Sequence, residues 1–167
     1  MYKIGDYIVK SMNGVCKVED ILHLNMTGAD TRKLYYLLIP IEDKRAKIYM
    51  PTDTTDTTVR EAMNEDEAWE LIDRIPHIEE NWIDNDKLRE QNYKDAVKSC
   101  NIDSIAGIVK STYIRKKQRL AEGKKNTAVD ERYLKLTENI LYSELAFALK
   151  KEKTEILDII TDSIGNR

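Results

Sequence analysis

The densest cluster of cations in the chain is Arg115-Lys116-Lys117-Gln118-Arg119, with Lys110 before it and Lys124-Lys125 after it. On a helix, Lys110 and Lys117 share a face, as do Arg115 and Arg119. Side chains of this kind contact phosphate oxygens without reading bases, so their binding is salt-sensitive and independent of sequence. The competing reading is a solvated helix face paired to acidic residues elsewhere in the chain. Trp82 is the second notable residue. It lies in the polar stretch Glu79-Glu80-Asn81-Trp82 rather than on a periodic apolar face. Such a tryptophan either anchors its loop to the core or serves as an apolar wedge at a base step.

Catalytic constellations are missing. Gly123-Lys124-Lys125 lacks the upstream glycine of a phosphate-binding loop, and no Gly-x-Ser-x-Gly or His-Glu-x-x-His occurs. His23 and His77 are isolated, and Cys16 and Cys100 are far apart with no Cys-x-x-Cys. The expectation is a protein that is not an enzyme, with no metal and no cofactor. No apolar run approaches the ~18 residues of a membrane span, and the first residues lack the apolar core of a signal peptide. A cytoplasmic protein is expected, free of membrane and monomeric.

The 167 residues carry a net charge of −3, but the charge is unevenly placed. Residues 61–86 hold 10 acidic and 1 basic side chain, and residues 87–125 hold 11 basic and 4 acidic. That contrast points to an anionic partner for the later segment. The acidic block would hold the basic one off random DNA.

The elements that must position these residues fall into two groups. Residues 1–51 read as short strands: Tyr7-Ile8-Val9, a hairpin turn at Asn13-Gly14 with positive φ, a return from Val15 to Leu24, then Leu34–Ile39 and Ala46–Met50. An antiparallel meander curling into a small barrel is expected. From Thr57 the period becomes helical, with capping-box spacing at Thr58/Glu61 and Asn64/Glu67. Ala68, Leu71, Ile72 and Ile75 form one apolar face, and Trp69 is expected in the core or at a module interface. A helix over 87–99 has Leu88, Tyr93 and Val97 as candidate buried positions. The next, capped by Asn101 or Asp103, turns Ile105, Ile108, Val109, Thr112 and Tyr113 inward. Thr127 with Asp130 opens a long helix to Leu149, and a short one covers 154–164. The fold class is therefore α+β, a small antiparallel β-barrel over 1–55 followed by an all-α module over 56–167.

In this order, several motifs resemble the CarD/CdnL family of bacterial transcription regulators. They are Tyr2-Lys3-Ile4-Gly5-Asp6-Tyr7-Ile8-Val9, Ile48-Tyr49-Met50-Pro51, Ile75-Pro76-His77, Asn81-Trp82, Tyr113–Leu120, Glu131-Arg132-Tyr133-Leu134 and Ile140–Ala146. The resemblance implies a Tudor-like (SH3-like) first module that docks on the RNA polymerase β subunit. It also implies a helical module that contacts promoter DNA at the edge of the melted region. Trp82 would match the minor-groove wedge, and Lys87, Arg89, Lys110, Arg115 and Arg119 the DNA face, joined by Lys117, Lys124 and Lys125 from the basic run. The family's two polymerase-contacting arginines fall at Tyr49 and near Leu24, with Lys44, Arg45 and Lys47 available to supply charge. The resulting expectation is a regulator of open-complex stability. The alternative is a protein-interaction adaptor that never touches DNA.

Overall fold

Met12 and Gly14, with φ of 69° and 71° in the computed structural model, reverse the chain at its first hairpin. The model describes residues 1–55, 58–80 and 82–165. The hairpin joins β1 (Tyr7–Lys10) to β2 (Gly14–His23), with Lys10 opposite Gly14. The positive-φ positions are thus Met12 and Gly14 rather than the expected Asn13-Gly14 pair. The loop between the strands is three residues long, Ser11 to Asn13, and the Asn13 N–H donates to the Lys10 carbonyl at 3.0 Å.

β3 (Leu34–Pro40), β4 (Ile48–Pro51) and β5 (Val59–Glu61) complete a curled five-stranded antiparallel sheet in the order β4-β3-β2-β1-β5. Its buried face gathers Ile8, Cys16, Val18, Tyr36, Leu38 and Met50. The backbone N–H of Tyr2 donates to the Tyr36 hydroxyl at 3.0 Å, which satisfies the one polar atom of that buried ring. β2 carries a bulge: Val18 faces Leu38, but Asp20 faces Leu37, so Glu19 is the extra residue.

β5 corrects the expected early onset of helix and the Thr58/Glu61 cap. Val59, Arg60 and Glu61 instead pair with Lys10, Val9 and Ile8. Thr57, where helix was expected to begin, lies outside the described residues, as does Asn81 of the Asn81-Trp82 motif. The β1 edge offers a row of backbone partners, and pairing there outweighs a weak capping signal. The first compact unit accordingly runs Met1–Ala62, beyond residue 55, and the second is Met63–Arg167.

In the second unit the helices are α1 (Glu65–Arg74), α2 (Asp86–Ser99), α3 (Ile102–Ala121), α4 (Ala128–Leu149) and α5 (Lys153–Gly165), with a 3-10 turn at Ile75–His77. Asn64 and Glu67 form a complete capping box on α1, each side chain bonding the other's backbone N–H at 2.9 Å. The acids of its first turn complement the helix dipole. Ala68, Leu71, Ile72 and Ile75 are buried as expected, and they pack in one core with Tyr93, Val97, Ile105, Val109, Leu141, Leu145, Ile156 and Ile160. Trp69 is 39% exposed. α2 departs from expectation: Leu88 is 63% exposed, while its neighbour Arg89 is 5% exposed. Tyr113 is only partly buried.

Candidate nucleic-acid interface

α3 starts at Asn101, whose side chain accepts from the Ser104 N–H at 3.1 Å. Its inner face sets Ile105, Ala106, Ile108, Val109 and Thr112 in the core, and Lys110 with them. Lys110 is fully buried, and its ammonium donates to the carbonyl oxygens of Pro76 at 2.8 Å and Ile78 at 2.6 Å. A buried ammonium is tolerable only with such partners. Lys110 therefore fixes the chain just before Trp82 rather than facing a phosphate, which corrects its expected place on the DNA face.

Arg89 needs the same correction. Its Nε and Nη2 donate to the two carboxylate oxygens of Asp130 at 2.8 and 3.0 Å. Nη2 also donates to Asp86 at 2.8 Å, and Nη1 to the carbonyls of Ile83 at 2.9 Å and Asp84 at 3.3 Å. All five N–H donors of the guanidinium are engaged. Asp130 is 2% exposed and also accepts from the Tyr93 and Thr127 hydroxyls, both at 2.7 Å. Burial pushes the Asp130 carboxyl up, but the hydrogen bonds from Arg89, Thr127 and Tyr93 outweigh it and hold the group below the usual carboxylate range. The bond to Asp130 raises Arg89 further above its ordinary value. Burial, reinforced by the hydrogen bond to the carboxylate, raises Tyr93. The Thr127/Asp130 spacing marks the helix start correctly, but nothing in it signals that Asp130 also answers a cation 41 residues away.

Trp82 lies beside this network. The Arg89 guanidinium carbon is 4.5 Å from the indole centroid, and that of Arg115 is 5.3 Å away. Both distances are within cation–π range. The half-buried indole also walls a cleft of about 510 Å³ between α2 and α3, shared with Ile78, Tyr93 and Gly107. These contacts are those of a loop anchor, the first of the two roles considered for Trp82.

The remaining cations lie at the C-terminal end of α3 and just beyond it. Lys117, Lys124 and Lys125 are exposed, and so is Lys87 in the first turn of α2. Lys117 approaches the Tyr113 ring at 5.3 Å. Arg119 is half-buried, and its Nε donates to the Lys125 carbonyl at 3.0 Å, which folds the 124–125 segment back onto the helix end. Lys116 pairs with Glu131 at 3.0 Å, and Lys124 with Glu122 at 3.6 Å; the second pair is well exposed and adds little stability.

In the sheet unit, Lys44 and Arg45 occupy the turn between β3 and β4, Lys47 is exposed, and Tyr49 lies half-buried on β4, opposite Leu37. β4 is an edge of the sheet. Leu24 is 8% exposed and belongs to the interior, so it is corrected as a contact residue. Among the described residues no cluster of His, Cys, Asp or Glu could hold a metal ion, and no helix is long and apolar enough to cross a membrane.

A curled β-sheet unit followed by a helical unit with a cationic helix end defines a two-module binding protein. The chain belongs to the CarD family: residues 2–63 match the CarD-like/TRCF RID domain, and residues 63–161 match the CarD C-terminal domain. The two matches meet at residue 63, where the structure also divides. No curated protein matches the chain. Membership makes this a transcription-associated protein that interacts with RNA polymerase.

Proposed function

We propose that the chain regulates transcription without catalysis, docking on the RNA polymerase β subunit through its sheet unit and on promoter DNA through its helical unit. The carrying observation is the juxtaposition of Trp82 with Arg115, on the same helix as the exposed Lys117. A polar stretch that presents an indole beside cations suits a duplex whose bases are partly unstacked. Lys87, Arg115, Lys117, Arg119, Lys124 and Lys125 would supply phosphate contacts, and Lys44, Arg45, Lys47 and Tyr49 the polymerase contacts. Attachment to polymerase raises the effective concentration of DNA beside the helical unit, so a weak DNA contact suffices. Any effect on the open complex requires tighter binding to melted than to closed DNA.

The test is open-complex lifetime with Trp82→Ala. A shortened lifetime with polymerase binding intact supports the reading, and an unchanged lifetime overturns it. The adaptor reading draws on the two buried cations, Arg89 and Lys110, which leave fewer charges for phosphate. It predicts no DNA binding by the full chain even at low salt. On the DNA reading, Lys117→Glu with Lys125→Glu weakens binding and flattens its salt dependence, the slope falling by roughly 1 for each phosphate no longer neutralised.

A further inference from the structure

The two guanidiniums over Trp82 are held very differently. Arg89 is 5% exposed, and its five donors are bound to two carboxylates and two carbonyls, so its place over the ring is fixed by the core. Arg115 is half-buried, and its Nε is buried with no hydrogen-bond partner among the described residues. The indole quadrupole attracts that guanidinium, but a charge-assisted hydrogen bond to an anionic oxygen is stronger than contact with a ring.

We propose that Arg115 is the exchangeable partner of Trp82. It is a positioning residue that holds the indole against the helical unit in the free chain, and it moves to a phosphate oxygen when a polyanion arrives. Trp82 is then retained by Arg89 alone. Arg89 keeps the indole from being lost to solvent, and the departure of Arg115 makes the ring available on the side it had covered. The identification of the polyanion as promoter DNA rests on the proposed function, whereas the hold on Trp82 belongs to the free chain.

Trp82 can be observed alone in the full chain carrying Trp69→Phe, since these are its two tryptophans. The measurement is acrylamide quenching of the Trp82 emission. Arg115→Lys keeps the charge, but a hydrated ammonium does not stack flat on a ring as a guanidinium does. Quenching should rise about two- to threefold in this variant, the size expected when a partly solvated cation–π interaction is removed. The thermal midpoint should fall by no more than about 5 °C. Arg115→Gln should give the same rise and serves the comparison if the lysine variant melts early.

Inorganic pyrophosphate is the second probe, because it can take the guanidinium yet is too small to cover an indole. It should raise quenching in the Trp69→Phe chain toward the value for Arg115→Lys, whereas sodium chloride at equal ionic strength should not. Equal quenching with and without the Arg115 substitutions would overturn the hold on Trp82. A pyrophosphate response no larger than that of chloride would overturn the exchange. An unchanged open-complex lifetime in Trp82→Ala would remove the promoter role and leave the quenching results standing, so the two failures are distinguishable.

Discussion

Replacing Asp130 with asparagine swaps one carboxylate oxygen for an amide nitrogen at a site where every neighbour is a donor. The carboxylate accepts from Arg89 twice, from Tyr93 and from Thr127, and both it and Arg89 are buried. Asparagine keeps one acceptor oxygen and points two N–H bonds at the remaining donors. It also leaves the Arg89 charge with only Asp86, which is exposed, as a carboxylate partner. Removing one partner of a buried pair costs about 3–5 kcal/mol. For a unit of about 100 residues, each kcal/mol lowers the melting midpoint by about 4–8 °C, so a fall of at least about 12 °C is expected. Urea unfolding followed by far-UV circular dichroism should show a lower midpoint with an unchanged slope. Arg89→Met with Asp130→Leu removes both charges together and should cost less than the sum of the two single changes. The pH dependence has a definite sign. The folded Asp130 carboxyl sits below its unfolded value of 3.8, so its stabilisation is present above that pH and is lost as pH falls through the folded value. The gap between parent and Asp130→Asn should therefore narrow below about pH 4. A destabilisation under about 1 kcal/mol, or a double variant worse than the sum, would refute this account of the pair.

Other outcomes follow from single interactions. Lys110→Met keeps the packed stem but strands the Pro76 and Ile78 carbonyls, at a cost of about 1–3 kcal/mol in urea unfolding. If Lys110 does not face phosphate, the salt slope of DNA binding should stay unchanged in that variant. Asn64→Ala removes the capping box of α1 and should cost about 1 kcal/mol, read as a small fall in the melting midpoint. Burial pushes the Cys16 thiol up to about 11, so iodoacetamide at pH 8 should leave it unmodified until the chain unfolds. Mass spectrometry of the modified protein would show this directly.

Apolar periodicity carried most of the fold. Ala68, Leu71, Ile72 and Ile75 were legible as one face because helical spacing leaves few alternatives. Val18 and Ile21 are three apart, a spacing that puts the two on opposite faces of a regular strand. The bulge at Glu19 accounts for it, because one extra residue returns Ile21 to the face that Val18 occupies. β5 was not legible, since three residues at a sheet edge owe their shape to pairing with β1 rather than to their own pattern. In the site, Trp82 and the cations were visible as residue types. The burial of Arg89 and Lys110 was not. A buried cation looks like any surface cation until its partners are known, and those partners are 41 and 32–34 residues away. The apolar Leu88 beside Arg89 was the more natural choice for burial, and the demand of Asp130 for a cation reversed the order.

The direction of α3 sets a limit on how its cations can act. The helix ends in carbonyl groups, the pole that carries about half a negative charge, and Arg119, Lys124 and Lys125 lie around that end. The opposite pole would attract phosphate through its own N–H groups. Here the side chains first neutralise the helix and its acidic neighbours Glu122 and Glu131, and only the remainder reaches outward. If the proposed DNA contact is made here, a surface built this way would attract bulk duplex weakly and be silenced early by salt. On the proposed function, its selectivity would be one of circumstance, governed by where the chain is already held and by how far the nucleic acid beside it is opened.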